Sequence, residues 1–188
     1  MISSLNNQIY STRIEVILGC MFSGKSTELL RRTNRYKAIG KQILLINHKY
    51  DTRTDNAIQT HSNIKQTAIK TSELSNILET KEFNKADVIG IDEAQFFPDL
   101  LRFVESAELH NKIIIVAGLD GDYKRKPIGQ ILQIIPLCDE VVKLNAMDMI
   151  DKDGSPGIFS KRIVDTEGQV LVGANESYKA VSRKNYFK

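Results

Sequence analysis

The chain has 188 residues, of which 41% are hydrophobic and 26% charged, and its formal net charge is +3. These values predict an ordinary globular protein of one domain with at most a small appendage, and they argue against a dedicated nucleic-acid binder. No apolar run reaches the ~18 residues of a membrane span, and the polar start lacks the apolar core of a signal peptide. Cys20 and Cys138 lie far apart in sequence, so we expect no structural disulfide and a reducing, cytoplasmic location.

A glycine-rich loop follows the first predicted strand. Residues 14–18 are continuously apolar except for Glu15, and residues 26–39 predict a helix that ends before Gly40. The residues between them match the P-loop pattern G-x-x-x-x-G-K-S: Gly19, Cys20, Met21, Phe22, Ser23, Gly24, Lys25 and Ser26. This context predicts a nucleoside triphosphate site, in which Lys25 reaches the β- and γ-phosphates and Ser26 holds Mg²⁺. The alternative is a glycine-rich turn that binds nothing.

Short apolar runs alternate with helical patterns along the rest of the first part of the chain. We predict strands at residues 42–47, 88–92, 112–117 and 141–144. We predict one helix after an N-cap at Ser72, with Leu74, Ile77 and Leu78 on one face, and another from Phe97 to Leu109 with Leu100, Leu101 and Val104 inward. Together they predict an α/β fold of the RecA-like P-loop type, with a mainly parallel sheet and helices on both faces. Ligands then bind at the C-terminal ends of the strands.

The pattern changes near Ala146. Residues 148–157 include three aspartates, two glycines and a proline, which predict a loop. Residues 159–164 and 169–172 flank a D-T-E-G turn and predict a β-hairpin. We therefore expect an α/β domain over residues 1–146 and a small hairpin or lasso appendage over residues 147–188.

An acidic pair follows the strand predicted at residues 88–92. Asp92 stands where P-loop proteins place the aspartate that helps to hold Mg²⁺. Glu93 has two interpretations: a general base near the transferred phosphate, or an acid at a helix start that interacts favourably with the helix dipole. The Asp-Glu pair in this context favours the base.

The sequence as a whole resembles the type II thymidine kinases, a family found in animals, many bacteria and large DNA viruses. The similar motifs run in order along nearly the whole chain: G-C-M-F-S-G-K-S-T at 19–27, D-T-R at 51–53, D-E-A-Q-F-F at 92–97, G-L-D-G-D-Y-K-R-K-P at 118–127 and G-A-N-E-S-Y at 173–178. The resemblance implies transfer of the ATP γ-phosphoryl group, with Mg²⁺, to the 5′-hydroxyl of thymidine. The product, dTMP, would supply DNA synthesis by nucleotide salvage.

The resemblance also implies roles for individual residues. Glu93 would accept the 5′-hydroxyl proton, and Arg53 would stabilise charge on the transferring phosphate, although Arg53 taken alone reads as a surface arginine. Magnesium is expected at Ser26 and Asp92, with Asp51 contributing through water. The nucleotide-binding residues would be Gly19, Cys20, Met21, Phe22, Ser23, Gly24, Lys25, Ser26, Thr27, Asp51, Thr52, Arg53, Asp92, Glu93, Ala94 and Gln95.

The implied thymidine site has apolar walls and a segment, residues 160–178, that closes over the base and excludes water. Its residues would be Met21, Phe96, Leu119, Tyr123, Ser160, Gln169, Val170, Leu171, Val172, Gly173 and Tyr178. Leu171 and Val172 also fit the inward face of a strand, and both interpretations can hold together. Tyr123 stands where the family usually has phenylalanine, so its hydroxyl needs a partner if buried.

The sequence departs from the family at one place. The family usually has a structural zinc bound by two C-x-x-C or C-x-x-H pairs, and the matching positions here are Asp148, Asp151, Ser182 and Asn185. Structural zinc sites are built from sulfur and nitrogen ligands, so we expect no zinc. The alternative is a hard cation bound through Asp148 and Asp151.

The resemblance further implies a homo-oligomer, a tetramer by family likeness, with dTTP as feedback inhibitor and with neither a membrane nor a nucleic-acid partner. Two alternatives from other classes remain. One is a RecA-like ATPase that acts on DNA, which the even charge balance disfavours. The other is a nucleotide-dependent switch without kinase activity; a GTPase of this kind would be expected to carry an N-K-x-D-type motif that reads guanine, and we expect the chain to have none.

Overall fold

The chain is built around one parallel sheet, with smaller antiparallel pairs beside it. The computed structural model describes residues 11–51, 57–59, 65–165, 168–169 and 177–188. The strands are β1 (Arg13–Gly19), β2 (Ile43–His48), β3 (Ala57–Gln59), β4 (Lys65–Thr67), β5 (Ile69–Thr71), β6 (Val88–Ile91), β7 (Ile113–Leu119), β8 (Glu140–Leu144), β9 (Ala146–Met147), β10 (Pro156–Gly157), β11 (Phe159–Arg162) and β12 (Tyr178–Val181). The helices are α1 (Lys25–Ala38), α2 (Lys81–Lys85), α3 (Leu100–Ala107) and α4 (Arg183–Tyr186). Within these described ranges no helix has the length and apolar character needed to cross a membrane.

The main sheet has six strands in the order β5-β2-β6-β7-β1-β8. Every neighbouring pair in it is parallel, which confirms the predicted sheet. β7 lies between β1 and β6, as in RecA-like folds. The loops that follow β1 and β6 therefore leave from the same edge of the sheet, one strand apart.

Helices cover both faces of this sheet. Successive residues of β1 belong to different core clusters: Val16 packs with Phe103 of α3, whereas Ile17 packs with Leu29 and Leu30 of α1. Parallel strands buried on both faces carry continuous apolar runs, which is why these strands could be predicted. Each fully buried side chain of this size contributes about 1.5–3 kcal/mol to stability.

The helix predicted after Ser72 is wrong. A 3₁₀ turn over Ser75–Ile77 stands there instead, and α2 follows it. The backbone N–H groups of Leu74 and Ser75 donate to the carboxylate of Asp99 at 3.0 and 2.7 Å. Their capping acceptor thus comes from the start of α3, and a local sequence pattern does not reveal such a partner.

The helix predicted from Phe97 to Leu109 is shorter at both ends. Phe97 is extended, with φ −79° and ψ 118°, because the residue before a proline is disfavoured in the helical region. α3 ends at Ala107, and a 3₁₀ turn over Glu108–His110 follows it. Leu100 and Val104 are buried as predicted, while the partly buried Leu101 packs against the same cluster.

The C-terminal part contains antiparallel pairs, but with other partners than predicted. β9, which directly precedes the segment predicted as a loop, pairs with β10 at the end of that segment. β11 pairs with β12, so that Arg162 lies opposite Tyr178, whereas the sequence predicted residues 169–172 as the partner. Gln169 lies in a bend, and residues 170–172 lie outside the described ranges. Alternation along one strand shows that a strand forms, not which other strand pairs with it.

In the first part of the chain, β3, β4 and β5 were also not predicted from the sequence. β3 and β4 form an antiparallel pair, and β5 is the edge strand beside β2. Each has three residues, which is too short for a periodic pattern to appear.

Candidate active site

The loop between β1 and α1 needs both of its glycines. A Cβ on Gly19 would lie 2.4 Å from the carbonyl oxygen of Leu144 and 2.6 Å from Ser23 Oγ, closer than packed atoms approach. Gly24 has φ +84° and ψ 16°, a left-handed conformation, directly before α1. The first N–H groups of this helix therefore face the loop, an arrangement that favours phosphate.

Lys25 is held inside this loop. Its Nζ donates to the carbonyl oxygen of Cys20 at 2.7 Å. Loss of hydration lowers the pKa of Lys25, although the nearby Glu93, Cys20 and Asp92 act in the opposite direction. The ammonium group is thus close to the acidic pair after β6, as a shared phosphate site requires.

The acidic pair stands where β6 ends. Asp92 is 1% exposed, and its Oδ1 accepts a hydrogen bond from the backbone N–H of Glu93 at 3.0 Å. Glu93 has the left-handed conformation, with φ 52°, before a 3₁₀ turn over Ala94–Phe96, and its side chain makes no capping hydrogen bond to that turn. An acid near a helix start interacts with the helix dipole without such a bond, so both interpretations of Glu93 stay predictions.

Gln95 connects the acidic pair to the neighbouring strand. Its Nε2 donates to Glu93 Oε2 at 2.7 Å, and its Oε1 accepts from the backbone N–H of Leu119 at 2.9 Å. Gln95 is 3% exposed, so both bonds are shielded from water. The sequence predicted Gln95 as a nucleotide-binding residue, whereas its described bonds hold Glu93 against the end of β7.

Aromatic rings lie beside the acidic pair at the end of β2. The buried His48 ring lies 5.6 Å from Phe96, 4.8 Å from Phe97 and 4.6 Å from Tyr50, between ring centroids. His48 Nδ1 also accepts from the backbone N–H of Tyr50 at 3.1 Å, and burial lowers the pKa of His48. The half-buried Phe96 therefore packs against the buried His48 ring. The sequence analysis missed His48, although it ends an apolar run shortly before the D-T-R motif.

Arg162 joins three of the residues predicted for the nucleoside site. Its guanidinium lies 3.8 Å from the centre of the Tyr123 ring and donates to Tyr178 Oη at 2.7 Å. It also donates to the carbonyl oxygens of Gly168 and Gln169, at 2.8 and 3.2 Å. The sequence analysis missed Arg162; the only signal was a cation on the strand that also carries Ser160.

The C-terminal part touches the P-loop directly. Ser160 Oγ accepts a hydrogen bond from the backbone N–H of Met21 at 3.0 Å. Cys20 Sγ donates to the carbonyl oxygen of Gly157 at 3.1 Å. Ser160, predicted as a substrate residue, therefore joins the phosphate loop to β11.

The remaining predicted site residues differ in their exposure to solvent, and some lie outside the described ranges. Asp51 is 7% exposed, and its Oδ2 accepts from Asn47 Nδ2 at 2.8 Å. Ala94 is buried and Thr27 is exposed. Six predicted site residues lie outside the described ranges: Thr52, Arg53, Val170, Leu171, Val172 and Gly173.

The residues that could hold a metal here carry oxygen. Asp92 presents a buried carboxylate at the end of β6, and Ser26 has a hydroxyl in the first turn of α1. Carboxylate and hydroxyl oxygens suit Mg²⁺. Across the part of the chain that the structure describes, no group of three or more His, Cys, Asp or Glu side chains could bind a metal by itself. Mg²⁺ bound with a nucleotide usually keeps several waters and shares the phosphates as ligands, so it needs few protein ligands.

The expectation that the chain has no N-K-x-D match is wrong, but its one match is not placed to act at this site. The tetrapeptide N-K-A-D at residues 84–87 matches the N-K-x-D pattern. It spans the end of α2 and the residues before Val88, where β6 begins. That is the edge of the sheet opposite the P-loop, so this tetrapeptide cannot contact a nucleotide bound there.

The fold and the site define a P-loop nucleotide-binding protein of the α/β class. A sequence model of the family described as "Thymidine kinase" matches residues 12–186. The thymidine kinase of rabbit fibroma virus (strain Kasza) is 43% identical over 180 residues, which cover 95% of this chain and 98% of the relative. That of Yaba monkey tumor virus (strain VR587) is 44% identical, with 93% and 94% covered, and that of vaccinia virus (strain Ankara) is 42% identical, with 92% and 96% covered.

These matches extend over nearly the whole of both sequences. The chain belongs to the thymidine kinase family, and it is accordingly an ATP-dependent nucleoside kinase, a phosphotransferase. Among solved structures, a DNA replication initiation factor superposes with a TM-score of 0.44 at 14% identity, covering 73% of this chain and 40% of its own.

Proposed function

We propose that this kinase transfers the γ-phosphoryl group of ATP to the 5′-hydroxyl of thymidine and so produces dTMP. The observation that carries the proposal is the carboxylate of Glu93, held by Gln95 at 2.7 Å directly after the buried Asp92 and at the same sheet edge as the P-loop. A fixed carboxylate beside a phosphate site is suited to accept a hydroxyl proton during transfer.

The nucleotide would bind along the P-loop. The backbone from Gly19 to Thr27 surrounds the phosphates, and Lys25 exchanges its bond to Cys20 for one to a phosphate oxygen. Ser26 and Asp92 would hold Mg²⁺, which neutralises charge on the β- and γ-phosphates. We include Arg53, outside the described ranges, as the residue that stabilises the transferring phosphate.

The nucleoside would bind between the aromatic groups on the other side of Glu93. Phe96, Leu119 and Tyr123 are half-buried, as walls of a site open to a ligand would be. Arg162 bridges Tyr123 and Tyr178 and also binds the backbone carbonyl oxygens of Gly168 and Gln169. We propose that residues 170–173, outside the described ranges, complete the site with backbone groups that bind the pyrimidine edge.

The direct test is Glu93→Gln. The amide keeps the shape of the side chain but cannot accept the hydroxyl proton, so kcat for thymidine phosphorylation should fall on the order of 10²–10⁴-fold. ATP affinity, measured by calorimetry with a non-hydrolysable analogue, should stay nearly unchanged. Glu105→Gln is the matched control, because Glu105 is exposed on α3 and should leave both quantities unchanged. A kcat within about threefold of the wild type would exclude Glu93 as the base.

The same assay separates the alternative functions. ATP turnover is measured with thymidine, with single-stranded DNA and with neither. A thymidine kinase turns over ATP only with thymidine, because a closed site excludes water as acceptor. Turnover that depends on DNA would indicate a DNA-dependent ATPase, and nucleotide binding without turnover would indicate a switch.

We also propose the wider properties that the resemblance implies: dTTP as feedback inhibitor, a role in DNA synthesis in the cytoplasm, and two working units over residues 1–146 and 147–188. The assembly would be a homotetramer, since closed symmetric oligomers are common among soluble enzymes. Light scattering at micromolar concentration should give about four times the mass of the chain. A monomer across that range would contradict the tetramer without affecting the proposed chemistry.

A further inference from the structure

A buried carboxylate holds two distant segments of the C-terminal part together. Asp148 follows β9 and is 2% exposed. Its Oδ1 accepts the backbone N–H groups of Ile150 and Asp151, both at 2.8 Å, and its Oδ2 accepts that of Ser182 at 2.5 Å. Asn185 Nδ2 lies 3.1 Å from each of the two oxygens. We call this group the Asp148 cluster: Asp148, Ile150, Asp151, Ser182 and Asn185.

The Asp148 cluster includes the four positions at which the family usually has zinc ligands, and its chemistry does not fit zinc. A structural zinc needs four electron-pair donors, mostly thiolates or imidazoles, directed at one point. Here N–H donors converge on one anion, while the carboxylate of Asp151 pairs with Lys184 Nζ at 2.9 Å. Asn185 Oδ1 is the one buried acceptor in the cluster without a hydrogen bond among the described residues, and a single neutral oxygen does not make a metal site.

The hydrogen bonds favour the charged form of the aspartate. Burial alone would raise the pKa of Asp148, but the bonds from Ser182, Asp151 and Asn185 outweigh it and hold the pKa below its usual range. If one partner of such a buried hydrogen-bonded group is removed, the polar atoms that it served are left without a hydrogen bond. The cluster therefore constrains both of its segments together.

We propose that Asp148 is a positioning residue for the nucleoside site, which it orders from a distance by fixing β12. Ser182 directly follows β12, and the backbone N–H of Met149, next to Asp148, donates to the carbonyl oxygen of Ala180 at 2.9 Å. Asp148, through Ser182, and the backbone N–H of Met149 thus both hold β12. β12 begins with Tyr178, whose hydroxyl accepts the hydrogen bond from Arg162. This inference rests on the proposed thymidine site.

β11 connects β12 to the P-loop and to Tyr123. β12 pairs with β11 over four residue pairs, including Ser160 with Ala180 and Arg162 with Tyr178. Ser160 contacts the P-loop at Met21, while Arg162 stacks on Tyr123. A shift of β12 would therefore move Tyr178 and Arg162 first. Most of the P-loop lies between β1 and α1, outside the C-terminal part, and should be affected less.

The test is Asp148→Asn, which keeps the shape but removes the charge and one acceptor. Thymidine Kd should rise about tenfold or more, which corresponds to ~1.4 kcal/mol, while Mg-ATP Kd stays within about twofold. Amide hydrogen exchange of β11 and β12 should lose protection by a similar factor, while β1 and β7 keep theirs. Asp153→Asn is the matched control: Asp153 is exposed in the same loop and accepts a local hydrogen bond from the backbone N–H of Ser155 at 2.9 Å, so it should leave all of these unchanged.

Asn185→Ala is the milder second variant, for use if Asp148→Asn does not fold. It removes one donor group and keeps the three backbone bonds, so the same changes should appear in the same direction but smaller. Unchanged thymidine affinity in a folded Asp148→Asn protein, or an equal loss of thymidine and ATP affinity, would overturn the positioning role. A wild-type protein that binds ATP but no thymidine would instead refute the proposed function on which this inference rests.

Discussion

At the scale of single residues, Gln95 has the largest number of consequences for the proposed reaction. One side chain donates to Glu93 and accepts from the backbone of Leu119. It therefore sets the position of the acidic group relative to β7, which ends beside the proposed nucleoside site. Because Glu93 has a strained left-handed backbone, its side chain depends on this outside support.

Replacing Gln95 by leucine tests this support. Leucine has a similar volume but neither hydrogen bond, so Glu93 should lose its fixed position. We expect kcat to fall on the order of 10²-fold, because misplacement of a reacting group by about 1 Å costs that much. Thymidine KM and ATP affinity should change far less. Steady-state kinetics measure both parameters, and a kcat equal to that of the wild type would show that Glu93 is positioned by other contacts.

At the scale of elements, charged side chains fix α1 against the edge of the sheet. Glu28 pairs with Arg31 and Arg32 on the helix, at i,i+3 and i,i+4. Arg32 continues to Glu15 of β1 and to Glu140 of β8. The network joins the helix that follows the P-loop to two strands. Within it, the negative charge of the buried Glu15 is paired with the guanidinium of Arg32. None of these pairs beyond the helix could be inferred from spacing.

This network predicts an acid-sensitive contribution to stability. Hydrogen bonds from Arg31 and then Arg32 outweigh desolvation and lower the pKa of Glu28 to about 2, against about 4.3 in the unfolded chain. The folded pKa is the lower one, so the contribution is complete above about pH 4.3 and is lost as the pH falls toward 2. Urea unfolding should show the stability difference between wild type and Glu28→Gln shrinking from pH 5 to pH 3. Arg31→Gln should reduce that pH dependence, and a constant difference across the range would contradict the assignment.

At the scale of the whole molecule, one sheet edge collects groups from both ends of the chain. The P-loop, the acidic pair and the end of β7 lie at the C-terminal edge of the sheet, and β11 contacts this edge through Ser160. In the proposed thymidine site, closure over the nucleoside would require the C-terminal part to stay attached. Among the described residues, hydrogen bonds and aromatic ring contacts attach the C-terminal part to the rest of the chain.

The absence of zinc is the prediction that belongs to this scale. Asp148 presents its oxygens to N–H donors, so zinc would have to displace several hydrogen bonds to bind there. We expect purified protein to contain far less than one zinc per chain by inductively coupled plasma mass spectrometry. EDTA should abolish activity, and excess Mg²⁺ alone should restore it. A zinc ion that survives gel filtration with EDTA, or a rise in Tm on adding zinc, would contradict this prediction.

The sequence by itself determined the parallel sheet, the P-loop, the acidic pair and the family. Each of these depends on consecutive residues: apolar runs for strands buried on both faces, glycines at fixed spacing for the loop, and Asp92-Glu93 at a strand end. Local patterns of this kind are independent of the partner against which they pack. The family likeness adds many such patterns in order.

Only the tertiary structure decided which distant groups meet. Asp99 caps a turn 25 residues before it, Arg162 joins Tyr123 to Tyr178, and Asp148 binds Ser182 across 34 residues. The same absence of a local signal left the pairing of β11 with β12 unpredicted and led to the false helix after Ser72. Folding brings these groups together because buried donors and acceptors must be paired, and that requirement leaves the choice of partner to the packing of the whole chain.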